Sequence, residues 1–143
     1  MIAYACKDLI FATKIGSTAQ ALDVPARPVR TPEMLRARLE RIDDGKVNDA
    51  VSCVMVDLKL GEVAFDLIKL AAAWRNGSTR NPENHGAKSN GGSAGRSAGP
   101  RVIAFGPHVM VDALAGAERC GADAAMARGA FTARLPELIA AVG

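Results

Sequence analysis

Seven residues, Val51-Ser-Cys-Val-Met-Val-Asp57, constrain this chain more than any others. The run is apolar and rich in β-branched side chains, and it stops abruptly on a carboxylate. A strand that is apolar on both faces has to be covered on both faces. That points to a central strand of a parallel sheet rather than to a half-solvated antiparallel one. The acid at its C-terminal end then lies on the edge of the sheet where open α/β folds place their chemistry. Asp57 is accordingly the first candidate functional residue.

The flanking sequence supplies the rest of such a sheet. Ile2 to Cys6 reads as a first strand. From Asp8 to Leu22, Leu9, Ile10, Ile15, Ala19 and Leu22 recur at helical spacing, although Gly16 weakens the helix. Val24 to Val29 is a second strand, and Pro25 and Pro28 confine it to a sheet edge because they cannot donate to a ladder. Thr31-Pro32-Glu33 opens a second helix with a cap, a first-turn proline and an acid. Its inward stripe is Met34, Leu35, Leu39 and Ile42, its outward face is Arg36, Arg38, Glu40 and Arg41, and Asp43-Asp44-Gly45 closes it.

After the Asp57 strand, a third helix runs from Glu62 to Trp74 with Val63, Leu67, Leu70 and Ala71 inward. Arg101 to Phe105 is a fourth strand stopped by Gly106-Pro107. Val109 to Cys120 is a fourth helix carrying Met110, Val111, Leu114 and Ala117. Ala122 to Ala127 is a fifth strand closed by Arg128-Gly129, and Thr132 to Val142 is the last helix, with Leu135, Leu138, Ile139 and Val142 inward. Regular alternation of strand and helix through short connections predicts an α/β fold, a parallel sheet covered by helices on both faces.

One domain over residues 1–143 is expected from the length. Residues 76–100 break the alternation. They are rich in Gly, Ser and Asn with no apolar periodicity, and are expected to form a flexible insertion between the third helix and the fourth strand, at the sheet edge opposite Asp57.

Composition narrows the function classes. Hydrophobic residues make up 49% of the chain but aromatics only 4%, so the core has to be built from aliphatic side chains and alanine. Cys6, Cys53 and Cys120 are odd in number and lack metal-ligand spacing, as expected of reduced thiols in a cytoplasmic protein. Lys7 and Asp8 interrupt the first apolar run too early for a signal peptide. No stretch approaches the roughly 20 apolar residues of a membrane span. The net charge of +3 suggests nucleic acid, but Arg75, Arg80, Lys88 and Arg96 against Glu83 account for the excess in one segment. With the remainder balanced, no basic folded face and no nucleic-acid partner is expected.

Three stretches together resemble the receiver domain of two-component response regulators, over essentially the whole length apart from the insertion. Val54-Met-Val-Asp57-Leu-Lys-Leu resembles the family's third strand with its phosphoacceptor aspartate. Arg101-Val-Ile-Ala-Phe-Gly-Pro-His108 resembles the fourth strand and following loop. Gly121-Ala-Asp-Ala-Ala-Met-Ala-Arg128-Gly-Ala-Phe131 resembles the "GAD…K-P-F" signature around the fifth strand. The resemblance implies a flavodoxin-like (βα)5 doubly wound sheet in the order 2-1-3-4-5, with Asp57 beside the switch point where such folds bind ligands.

The resemblance also implies a set of partners for Asp57, and most are altered. The acidic pair that holds Mg²⁺ in the family matches Cys6-Lys7, with only Asp8 keeping an acid beside it. The Thr or Ser that bonds the transferred group matches Gly106. The Lys that neutralises it matches Arg128, and the aromatic that reports the change matches Ala125. Without the pair, an incoming phosphoryl dianion meets Asp57 with little metal to screen it. Lys7, with Arg128, is expected to ion-pair Asp57 in the metal's place.

The expectation is thus a degenerate receiver-like domain acting through protein contacts, not an enzyme, with no resident cofactor. Its partner would be a kinase or an output or regulatory protein, with no membrane or nucleic-acid target. The domain would be a monomer or a weak homodimer, and no output segment is expected after the fifth helix. By the resemblance, its docking face would include His108, Met110, Val111, Ala125, Arg134 and Glu137.

Two alternatives stay open. Asp57 is either a genuine phosphoacceptor in a phosphorelay, with Mg²⁺ at Asp8 and Asp57, or part of a small enzyme with Cys6 and His108. Blander readings stand beside these. Asp57 as a backbone cap, Cys6 as an inert thiol and His85 as a solvated side chain each need no chemistry. Gly16-Ser-Thr lies inside a helical stretch with no Lys following, unlike a phosphate loop.

Overall fold

The apolar run around Cys53 becomes the middle strand of a five-stranded parallel sheet in the computed structural model of this chain, which describes residues 1–40, 51–75 and 100–142. In chain order the elements are β1 (Ile2–Ala5), α1 (Leu9–Ala21), β2 (Ala26–Pro28), α2 (Pro32–Glu40), β3 (Cys53–Asp57), a 3₁₀ turn (Leu58–Leu60), α3 (Glu62–Arg75), β4 (Arg101–Gly106), α4 (Val111–Arg119), β5 (Ala124–Ala127) and α5 (Arg128–Val142). The sheet order is β2-β1-β3-β4-β5, the doubly wound order expected, with every neighbouring pair parallel. The helix-2 residues Arg41 and Ile42, the stop at Asp43-Asp44-Gly45, and the expected insertion apart from its last residue, Pro100, lie outside the described residues.

All five residues of β3 are buried. The pleat sends them alternately to two cores. Val54 and Val56, with Ala3, Ala5, Val102 and Ala104, meet Leu35, Leu39, Leu67, Ile68 and Ala117 from α2, α3 and α4. Cys53 and Met55, with Ile2, Ile103 and Phe105, meet Ile15, Ala19, Phe131, Leu135 and Ile139 from α1 and α5. A two-sided apolar strand is thus explained by two separate helical layers. Among the described residues no helix is long and apolar enough to cross a membrane.

Helix phase departs from the sequence reading in α1. Leu9 and Ile10, expected on the inward stripe, are 79% and 70% exposed, and Leu22 is also exposed. Asp8 caps the helix by accepting from the Ile10 N–H at 2.9 Å, which fixes its first turn. With that start, Phe11, Ile15 and Ala19, four residues apart, are the side chains that face the sheet.

In α2 the cap is Thr31, whose Oγ1 accepts from the Met34 N–H at 3.1 Å. Leu35 and Leu39 point inward from there and Met34 is exposed. At the other end of the chain β5 starts at Ala124 rather than Ala122 and runs into α5 without a loop. Arg128-Gly129, expected to close the strand, forms the first turn of the helix.

Gly121 and Asp123, which the sequence offers only as a family signature, have visible structural roles. Asp123 Oδ2 accepts from the Val102 N–H at 2.7 Å and its own N–H donates to the Val102 carbonyl at 2.7 Å, so it fastens the start of β5 to β4. Gly121 turns the chain out of α4 with φ +118, in close approach to Ala72 of α3.

Candidate functional site

Because all strands are parallel, β1, β3 and β4 deliver their C-terminal ends to one edge, with β3 in the middle. Asp57 is fully buried there and is the one buried charged side chain among the described residues. Its two oxygens are committed to backbone. Oδ1 accepts from the Lys59 N–H at 3.0 Å and so caps the 3₁₀ turn, while Oδ2 accepts from the Lys7 N–H at 3.2 Å across the sheet edge. The carboxylate therefore staples the loop after β1 to the turn after β3. The capping role, the blander sequence reading, is what the geometry displays.

The expected ion pair with Lys7 is corrected. Lys7 reaches Asp57 through its peptide N–H, its side chain is exposed, and no ammonium–carboxylate pair forms between them. Arg128 does not reach Asp57 either. Its Nη2 donates to Asp8 Oδ2 at 3.1 Å, and its guanidinium carbon lies 4.2 Å from the centre of the Phe11 ring. Asp8 is thus used twice, one oxygen capping α1 and the other holding Arg128 at the start of α5.

Phe11 in turn meets Phe105 at 5.7 Å between ring centres, and Phe105 stacks on Phe131 at 4.1 Å. Sequence reasoning missed this aromatic column. Its faint signal was the scarcity of aromatics, which gives each phenylalanine in a chain like this unusual weight in the core.

Gly106, expected from the resemblance to match the family's hydroxyl position, is buried against Leu58. A Cβ built there would lie 3.2 Å from the Leu58 Cβ, so even a serine would need Leu58 to give way. Ala125 is half-buried and packs with Met110 against the α2–α4 side of the core, whereas His108, Val111, Arg134 and Glu137 are exposed.

His108 makes no hydrogen bond or ion pair with Cys6 or Asp57, so the Cys6–His108–Asp57 set is not assembled. Burial, reinforced by the nearby Asp57 and Asp8 charges and only partly opposed by Arg128, pushes the Cys6 thiol up to about 12. A thiol held protonated is a poor nucleophile. Alkylation of Cys6 at pH 8 should run about a thousandfold slower than that of an unperturbed thiol and accelerate as pH approaches 12. Rapid labelling at pH 8, read by peptide mass mapping, would contradict this. Cys53 is likewise pushed up to about 12, chiefly by burial. Since both folded values exceed the ordinary 9.0, both thiols contribute stability in full below pH 9 that is lost as pH rises towards 12.

The donor set does not fit Mg²⁺, which takes about six oxygens in near-octahedral array. Asp8 and Asp57 each have both oxygens engaged, and among the described residues no group of three His, Cys, Asp or Glu side chains could hold a metal ion.

A doubly wound five-stranded parallel sheet in this order is the fold of solved response-regulator receiver domains. Comparison with solved structures places this chain in that fold. It is similar to the signal receiver domain of a response regulator from Bermanella marisrubri (TM-score 0.63, 12% identity, covering 99% of this chain and 95% of that one). It is also similar to the receiver domain of NtrX from Brucella abortus (TM-score 0.61, 12% identity, 99% and 97% covered) and to a response regulator from Thermotoga maritima (TM-score 0.61, 12% identity, 99% and 94% covered). Against the longer NtrX chain it spans 25% of the length. Neither a protein-family model nor a curated protein matches the sequence.

Proposed function

We propose that this chain is a receiver-fold signalling module that works inside the cell through protein contacts, with its Asp57 edge held in one state rather than switched by metal-dependent phosphoryl transfer. The observation that carries this reading is that both oxygens of the buried Asp57 side chain accept from backbone N–H groups, at 3.0 and 3.2 Å. A phosphoacceptor needs a free oxygen to attack, a cation to screen the incoming dianion and a hydroxyl to receive it. Here each oxygen already accepts one N–H, and a side chain at Gly106 would require Leu58 to give by a few tenths of an ångström. The partner would be a kinase or an output or regulatory protein that reads a constant surface. His108, Val111, Arg134 and Glu137 are the exposed members of its docking face, and neither nucleic acid nor membrane is a target. The domain would act as a monomer or weak homodimer, without turnover of its own.

The test is a titration of the intact chain with Mg²⁺ and beryllofluoride, followed by amide NMR, beside incubation with a small-molecule phosphodonor and intact-mass measurement. A flat response and no adduct are expected. Saturable shifts at Asp57, Gly106 and Arg128, or a phosphoryl adduct, would sink the reading and favour the second one, a phosphoacceptor using Asp57. The seat of Asp57 at the C-terminal end of the central strand, beside the fold's switch point, is what speaks for that alternative.

A further inference from the structure

A cavity of about 360 Å³ lies between the second half of α1 and the entry to β2, with Gly16, Gln20, Asp23 and Arg27 in its lining. Ala26, also in that lining, aligns with Ile2 and Cys53 at the starts of β1 and β3. Asp57 ends β3, so the cavity belongs to the opposite edge of the sheet.

The turn itself does not explain Asp23. α1 closes with the Val24 N–H donating to the Ala19 carbonyl at 2.8 Å and the Asp23 N–H donating to the Gln20 carbonyl at 3.1 Å. That pattern puts Asp23 at the left-handed position, with φ 61, where Gly or Asn is the usual residue. A carboxylate there also stands at the negative end of the helix dipole. It has no hydrogen-bond or ion-pair partner among the described residues. Asn would fit the same turn without the charge. Strain and an unfavourable charge held together on a cavity wall point to a group kept for a ligand.

The opposite charge in the lining is Arg27, whose Nη1 donates to the Ala26 carbonyl at 3.2 Å. Arg27 has no ion-pair partner among the described residues, so it does not neutralise Asp23. Tyr4 stands behind Gly16, and a Cβ built at Gly16 would lie 3.6 Å from the Tyr4 hydroxyl. Burial pushes the Tyr4 pKa up, Cys6 adds to this and the Arg27 charge pulls against it, so the guanidinium is close enough to act on that hydroxyl. Tyr4 is half-buried, yet its hydroxyl has no hydrogen-bond partner among the described residues. A buried tyrosine O–H usually finds one. Gly16 weakens α1, but it leaves no side chain at that position to cover the hydroxyl.

We infer that this cavity binds a small zwitterion of about the size of a free amino acid, with its carboxylate on Arg27 and the Tyr4 hydroxyl and its ammonium on Asp23. The volume is near the lower end of the roughly 300–1,000 Å³ of small-molecule sites, which sets the size of the occupant. Charge-assisted bonds at its two ends set the orientation. The inference is independent of how Asp57 is used.

The experiment titrates the intact chain at low ionic strength, where exposed charges are least screened, and follows it by amide NMR. The probes are glycine, β-alanine and γ-aminobutyrate, whose charges are progressively further apart, with acetate and methylammonium as single-charge controls. At least one zwitterion should give saturable shifts at Gly16, Gln20, Asp23 and Arg27, with half-saturation on the order of 1–10 mM. Both controls should bind about tenfold more weakly, or less. Asp23→Asn, Arg27→Gln and Tyr4→Phe should each weaken the zwitterion about tenfold while keeping dispersed spectra. No saturation by any zwitterion up to about 100 mM overturns the inference. So does a control that binds as tightly as the zwitterions, or an undiminished Asp23→Asn or Arg27→Gln variant. None of these results bears on the proposed function.

Discussion

Gly121→Ala should destabilise the fold by about 3 kcal/mol or more, from two separate penalties. The backbone at Gly121 has φ +118, a region that side-chain-bearing residues enter only with strain. A Cβ there would also lie 2.5 Å from the Ala72 Cβ of α3, well inside contact distance, and neither atom belongs to a flexible chain end. Neither α3 nor the turn into β5 can yield freely, because Ala71 and Ala72 are buried in the core and Asp123 is fastened to Val102.

Urea denaturation should show a lower midpoint with an unchanged slope. Ala72→Gly in the same chain removes the clash but not the backbone strain. The double mutant should therefore recover about 1 kcal/mol of coupling and no more than part of the loss. A Gly121→Ala variant within a few tenths of a kcal/mol of wild type (by the same analysis) would mean that the turn relaxes.

Asp57→Ala is the second large effect, expected at about 1–3 kcal/mol of destabilisation, because two part-buried N–H groups lose their acceptor together. The sign matters more than the size. A carboxylate kept for chemistry is often held at a cost to stability, so that its removal stabilises. A carboxylate kept as a staple can only be lost at a cost. The hydrogen bonds to Lys7 and Lys59 predict the behaviour of the second group for Asp57. Asp57→Asn keeps one acceptor but turns an NH₂ group towards the other N–H, and should recover only part of the loss. Hydrogen exchange should quicken at the Lys7 and Lys59 amides in both variants. An alanine variant more stable than wild type would return Asp57 to the phosphoacceptor reading.

The parts of the fold that were legible in the sequence are those set by neighbours along the chain. The β-branched run to Asp57 announced a strand buried on both faces, and β3 is buried at every position. Alternation of short strands and amphipathic helices sufficed for a parallel sheet. The cap at Thr31 follows from residue type. Even the exposure of Leu9 and Ile10 was available in principle, since a cap at Asp8 sets the phase of α1. Apolar spacing alone misled because two apolar residues at a helix start fit more than one stripe.

The site was legible only as a place. Sequence fixes that Asp57 ends a central strand, because burial pattern and chain order are local properties that add up along the chain. Which atoms meet Asp57 was decided by tertiary structure. Its long-range partner is the peptide N–H of a residue 50 positions away, and not that residue's charged side chain. Arg128 found its acid 120 positions away, at a helix cap rather than at the strand end. Such pairings depend on how two helices and a sheet edge close on one another to within an ångström. Periodicity constrains which face of an element turns inward, but no local pattern encodes that final distance.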